Sequence, residues 1–416
     1  MLKKSTILLL LLSICFFANA QQVTTITGFL GGGYEDGSLA TAKFSGPYGL
    51  CLDNSGNIYV ADTFNNRIRK IDIATGTVST LAGGTEGSAN GIGSNAQFFL
   101  PRDLCFDSNG FLFVVDANNN RIRKIDVSTR MVTTFAGSIQ GYANGNGTNA
   151  KFNDPFGICI DSNDNIYVSE YLGGRIRKIT PSGRVSTFAG SGLAGFADGV
   201  GTAAMFYSPE GLCVDPQNNI YVADTSNFKV RKITPDGTVT TIAGGTYGYL
   251  DGPIADAMLK SVNGICMDTQ NNLYVTENNK IIRKIDLNAN VASTFMSESS
   301  LPGAPFGIRI NNGAIYFTEL GSCKIKKITN LLNPTTLEEI DFNIYPNPNN
   351  GIFNIESKTS ISSIYIYDTR GRTTYKNEKV NADKVEINLT AFAKGLYLVK
   401  IIGEEGKIVN KKIVND

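Results

Sequence analysis

Six side chains of unlike chemistry occupy one position of a repeated motif: Tyr48, Arg102, Phe156, Glu210, Asn263 and Phe306. Each follows the first residue of PYGLCLD, PRDLCFD, PFGICID, PEGLCVD, VNGICMD or PFGIRIN. Brought together, three aromatic rings, a cation, an acid and an amide would make a mouth for a small molecule or a glycan. Positions that only pack a scaffold recur unchanged, so disagreement among the repeats marks a place released from that demand. Other chemistry is scarce. The chain has no His, which removes Ser-His-Asp and Cys-His catalysis and His-ligated zinc. No residue is assigned a catalytic role, and neither a metal nor a cofactor is expected.

The elements that must position these residues are short strands. The first four motif starts are 54 residues apart in a chain of 416. Each start is followed by a strand pattern such as Asn57–Asp62, a basic run such as Asn65–Ile71, and a third run such as Thr77–Gly83. Ile58 and Val60 point one way while Tyr59 and Ala61 point the other. Turn residues separate the runs, as at Asp53–Asn57 and Ala74–Gly76. Four antiparallel strands repeated radially make a propeller blade whose faces are covered by its neighbours. The predicted fold is therefore all-β, with six blades. The sixth repeat, from Pro305, lacks its last strand, and Val23–Phe44 matches Met131–Phe152 almost position by position. Val23–Thr27 is predicted to complete that blade and leave no open edge.

Cys51, Cys105, Cys159, Cys213 and Cys266 share one repeat position. Equivalent positions lie a blade apart, beyond the roughly 7 Å Cα separation a disulfide tolerates, so they are predicted to be buried small hydrophobes. Asp53–Asn57 reads as an Asx-capped turn rather than a calcium loop. Asp62 with Arg67, Asp116 with Arg121 and Glu170 with Arg175 are expected to form blade-level ion pairs. The aromatic of the inter-blade loops (Phe44, Phe98, Phe152, Phe206) is expected to plug the gap between blades.

The PxGLCLD…GNIYVADTxNNRIRKI…TVSTLAG pattern resembles the NHL repeat, over about residues 22–330. Repeat five is one residue short at ENNKIIRKI, and repeat six has ELGSCKIKKI in place of the DTxNNR stretch.

Both ends carry processing signals. Lys3 and Lys4, the apolar run Ile7–Phe17 and the small-x-small triplet Ala18–Ala20 read as a signal peptide, residues 1–20, cleaved between Ala20 and Gln21. The apolar run is too short for a comfortable span, so no transmembrane segment is expected in the mature chain. Loss of the two lysines takes the formal charge from +1 to −1, a balance that argues against a nucleic-acid partner. After a linker at 331–340, residues 341–416 alternate strands and tight turns in the manner of a small Ig-like β-sandwich. Tyr345-Pro346-Asn347-Pro348, Gly351, Phe353, Gly395-Leu396-Tyr397 and Lys407–Val414 make it resemble the type A sorting domain of the type IX secretion system of Bacteroidota. The resemblance implies that residues 341–416 engage that machinery and that the protein is secreted or held on the outer surface.

The functional expectation is an extracellular binding or scaffold propeller whose partner is a protein, a glycan or a small molecule. The alternative is a six-bladed hydrolase, lactonase or lyase using a divalent metal held by carboxylates in the channel.

Overall fold

The computed structural model describes residues 22–278, 280–297, 301, 303–329, 343–347, 349–368, 372–403 and 408–415. The leader with its Ala20–Gln21 junction, the linker 331–340 and Pro348 lie outside them. Contacts divide the chain into two units, 1–331 and 332–416.

The first unit contains six antiparallel sheets. In blade one the inner strand Pro47–Leu52 is followed outward by Ile58–Asp62, Arg67–Asp72 and Thr77–Gly83. Blades two to five repeat the order with inner strands Pro101–Phe106, Pro155–Ile160, Pro209–Val214 and Val262–Met267. In blades one, three, four and five the second strand is buried along its whole length, because both faces are covered by neighbouring blades. Phe44, Phe98, Phe152 and Phe206 are fully buried in the loops between blades, as expected of plugs.

The first five blades exceed the expected four strands. A two-residue strand from the incoming loop, such as Gly37–Ser38, pairs with the outer strand through Gly37–Val78 and Ser38–Thr77. Two residues are too few to show an alternating pattern.

Blade six closes the ring as predicted. Gln22–Thr27 runs antiparallel to Lys324–Thr329, with Val23 opposite Ile328 and Thr25 opposite Lys326. The N-terminal strand thereby covers an edge that would otherwise expose a row of unpaired amides and carbonyls.

In the second unit, one long strand, Ile352–Asp368, serves two sets of partners. Its first half pairs with Asn343–Tyr345 and Ala382–Asn388, and its second half with Thr373–Asn377 and Gly395–Gly403. Ile408–Asn415 adds to the edge of Gly395–Gly403. The result is a curled, sandwich-like sheet around Phe353, Ile355, Ile364, Ile366, Val399, Ile401 and Ile413, all fully buried.

Deleting residues 21–28 from the mature protein is expected to lower the unfolding free energy by about 3 kcal/mol or more, since blade six loses both its hydrogen bonds and its outer cover. Thermal melting of the truncated chain checks this; an unchanged midpoint would contradict the closure.

Candidate functional site

The inner strand of every blade is bulged at its start. In blade one Pro47 faces Asp62 and Leu50 faces Val60, so Tyr48 and Gly49 together oppose Ala61. The same shift follows Pro101, Pro155, Pro209, Val262 and Pro305. A bulge takes residues out of the ladder and re-aims their side chains. Tyr48, Arg102, Phe156, Glu210, Asn263 and Phe306 all occupy this place and all turn to one end of the channel.

There they meet. The ring of Tyr48 lies 4.6 Å from that of Phe306 and 6.2 Å from that of Phe156, and Phe156 lies 5.9 Å from Phe306. The Arg102 guanidinium stacks 4.6 Å over Phe156 and pairs with Asp154 at 2.8 Å. Asn263 Nδ2 donates to Glu210 Oε2 at 2.7 Å. Glu210 and Asn263 are buried at 6% and 2% exposure, while Tyr48, Arg102 and Phe306 are partly exposed. Burial pushes the Glu210 carboxyl up to about 7, against the opposing pull of the Asn263 hydrogen bond and of Arg102.

In the second unit the motif residues hold the last strand. Asn347 Oδ1 accepts the Val414 amide at 2.9 Å, and Asn349 donates to the Val414 carbonyl from both its amide and Nδ2, each at 2.9 Å. Asn349 Oδ1 in turn accepts the Gly351 amide at 2.9 Å. Gly351 has φ +96°, and a Cβ there would press on Thr390. Tyr345 donates to Glu356 at 2.6 Å, and Tyr397, buried, donates to the Ala393 carbonyl at 2.6 Å. Pro346 is exposed beside Asn347, and Gly395 opens the strand that pairs with Ile408–Asn415.

Comparison with known families bears on the repeats and on the C-terminal domain. A model of the NHL repeat matches residues 44–71, 100–125 and 206–233, and a model of the secretion system C-terminal sorting domain matches 343–415. The chain carries NHL repeats and a type IX sorting domain. Its NHL region is similar to the chloroplastic protein SUPPRESSOR OF QUENCHING 1 of Arabidopsis thaliana, 32% identical over 62% of this chain and 26% of that one. It is also similar to human NHL repeat-containing protein 2, 28% identical over 66% of this chain and 44% of that one. The chain thus spans about a quarter of the plant protein and under half of the human one. Two solved structures from Bacteroides thetaiotaomicron share the fold at a TM-score of 0.57, covering 74% of this chain and 76% of theirs. One is a protein of unknown function, 18% identical; the other is an auxiliary nutrient-binding protein, 14% identical. The sorting domain sends the NHL propeller through type IX secretion to the cell surface or the medium. No helix among the described residues is long and apolar enough to cross a membrane.

Below the mouth of the NHL propeller lies a pair that sequence reasoning missed. Arg309 reaches across the channel to both carboxylate oxygens of Asp103, at 3.0 and 2.9 Å. Asp103 also accepts the Ile158 amide at 3.1 Å. Both residues depart from their repeat: Asp103 stands where the other blades have Gly, and Arg309 where they have Cys. Two departures of opposite charge in one ring were the signal. The five cysteines surround this channel as free thiols, four buried and Cys213 partly so, each raised by desolvation.

The expected ion pairs are corrected by two residues. Asp62 lies opposite Arg67 in the ladder, but its salt bridge is to Arg69, at 2.8 Å. Arg123 with Asp116, Arg177 with Glu170 and Arg231 with Asp224 repeat it at 2.7 to 2.8 Å, every side chain fully buried. Arg69 also donates to the loop carbonyls of Lys43 and Glu35. Arg67 instead bonds the Gly83 carbonyl and lies 3.8 Å over the Tyr34 ring. The sequence does not reveal that the loop turns two carbonyls toward the buried guanidinium.

At the far end of the channel the Asx turns appear as expected. Asp53 Oδ1 accepts the amides of Ser55 and Asn57, and Oδ2 accepts Asn57 Nδ2 and the Tyr59 hydroxyl.

Arg309→Cys strands Asp103 without its cation, and Asp103→Gly strands Arg309 without its anion. Each is expected to destabilise by about 3 kcal/mol or more. The double variant restores the Gly and Cys of the other blades and is expected to lose less than either single variant, a non-additivity measurable by denaturant unfolding. Additive losses would show that the two residues act independently.

Proposed function

We propose that the exported NHL propeller is a binding module that captures a small extracellular molecule, or one residue of a glycan, at the channel mouth. The supporting observation is that six positions which vary among otherwise regular repeats come together as an aromatic triad beside a buried Glu–Asn pair. Flat rings offer stacking area at low entropic cost, and a few buried polar atoms set orientation. The fold neighbour described as an auxiliary nutrient-binding protein is in keeping with this reading.

The alternative of a metal-dependent hydrolase, lactonase or lyase requires carboxylates free to converge on a divalent ion. Among the described residues no three Asp, Glu or Cys side chains gather as a ligand set. Asp103 is committed to Arg309 and Asp154 to Arg102. The described channel residues do not fit that metal.

The test is a glycan and metabolite binding screen with the mature chain, repeated with Tyr48→Ala, Arg102→Ala and Glu210→Ala combined. Any ligand of the mouth is expected to lose roughly tenfold or more in affinity, the effect of removing about 1.4 kcal/mol of contact. Unaltered affinity for every ligand found would place the binding surface elsewhere.

A further inference from the structure

The mouth extends beyond the inner strands. Asp62, at the end of the second strand, faces Pro47 at the start of the inner one, so the turn that follows stands at the same end of the channel. In the first four blades the second residue of that turn is Phe64, Asn118, Leu172 and Ser226. Phe64 and Leu172 are each 59% exposed. The turns therefore divide as the inner strands do. Blades one and three are apolar, with Tyr48 and Phe156, and blades two and four are polar, with Arg102 and Glu210. Inner strands neighbour one another in chain order around the ring, and blade six adds Phe306 beside Tyr48.

The apolar side chains make one band across the mouth. Phe64 lies 6.3 Å from Tyr48, Tyr48 lies 6.2 Å from Phe156, and Phe156 lies 5.7 Å from Tyr171, the neighbour of Leu172. Phe156 is the buried link of this row, under Arg102 and against Tyr171. Phe64, Tyr48, Phe306 and Tyr171 keep surface open to solvent.

The polar sides are neutral in what they leave unmet. Arg102 is paired with Asp154 at 2.8 Å and Arg309 with Asp103 at 2.9 Å. Asn263 Oδ1, on a side chain 2% exposed, has no hydrogen-bond partner. A buried acceptor left unmade carries a penalty of about 1–3 kcal/mol, so it calls for a donor. Asn263, Arg102 and Arg309 line a cavity of about 20 Å³, room for one water-sized group. A hydroxyl is such a group, and it can donate to an amide oxygen while accepting from a guanidinium. The bulge amides of Gly157, Gly264 and Gly307 already donate to Ser169, Thr276 and Thr318. An extended peptide, which binds by pairing with a free backbone edge, has none to add to at these blades.

We propose that the mouth and the turns of blades one and three form a single platform for a linear, uncharged glycan several sugar residues long. The proposal rests on the reading of the mouth as the binding site and extends it from one residue to a chain. A sugar ring has apolar C–H faces and hydroxyls around its edge. The faces lie along the band from Phe64 to Leu172, as flat apolar surfaces do on aromatic rings. The hydroxyls meet the polar side chains on either side, and one enters the cavity beside Asn263.

The experiment is calorimetric titration of the mature chain with cellohexaose, xylohexaose, mannohexaose and laminarihexaose, each beside its own monosaccharide. The expected result is that at least one hexasaccharide binds roughly tenfold or more tightly than its monosaccharide. Phe64→Ala combined with Leu172→Ala should remove most of that gain. Should the double variant fold poorly, the dependence on chain length in the wild type decides alone. Equal affinity for monosaccharide and hexasaccharide would overturn the platform and leave the mouth as a single-residue site. Binding of none of the four series would overturn the glycan assignment, with the mouth reading still open to small molecules. Length-dependent binding that survives replacement of Tyr48, Arg102 and Glu210 together by Ala would sink the mouth reading itself.

Discussion

Six inner strands crowd one axis, and in five of them the backbone comes close to the backbone of the next. The contact falls at the third residue of the inner strand. A Cβ on Gly157 would collide with the Glu210 carbonyl, one on Gly211 with the Asn263 carbonyl, one on Gly264 with that of Phe306, and one on Gly307 with that of Tyr48. Glycine there answers a close approach in five blades, and blade two alone has another residue, Asp103. The preceding residue is then thrown to the mouth, which is why six variable side chains converge without any one blade specifying the site.

The crowding creates a second demand. Bulged residues lose ladder partners, and a buried amide left unpaired costs about 1–3 kcal/mol. Hydroxyls on the second strand answer it. The Gly157 amide donates to Ser169 Oγ at 2.8 Å, and that hydroxyl donates onward to the Glu210 carbonyl of the next blade at 2.6 Å. Thr276 does the same for Gly264 and Phe306, and Thr318 for Gly307 and Tyr48. Farther out, the buried Arg69, Arg123, Arg177 and Arg231 tie second strand, third strand and incoming loop together. Such pairs contribute little net stability against apolar residues of like volume, since their charges must be desolvated. Their effect here is positional: each guanidinium fixes where a loop enters its blade.

Much of this was legible because the sequence repeats. Strand order, blade number, N-terminal closure, the buried Phe plugs and the Asx turns all follow from comparing one repeat with the next. The signal failed where a contact joins parts that no single repeat contains. Asp62 and Arg69 are seven residues apart, but the choice of Arg69 over Arg67 depends on the carbonyls of Glu35 and Lys43, which arrive from the preceding loop. Asp103 and Arg309 lie 206 residues apart and meet only because the ring is closed. Their departures from Gly and Cys were visible in the repeats; their meeting required knowing that both positions face the channel. Asn263 was legible as a variable residue, whereas its unsatisfied oxygen depends on Glu210 taking only the Nδ2 side.

Axial crowding is tested most directly at the seam between blades three and four, by measuring the stability of Gly157→Ala against Gly76→Ala. Gly76 lies in an outer turn at φ +67° with nothing near its missing Cβ, so its variant carries backbone strain alone. Gly157→Ala forces two backbones apart, and an unfolding free energy lower by about 3 kcal/mol or more is expected, with a loss clearly larger than that of Gly76→Ala. A Gly157→Ala protein that unfolds like the wild type would mean that the inner strands do not meet backbone to backbone, and the placement of every mouth residue would fall with that contact.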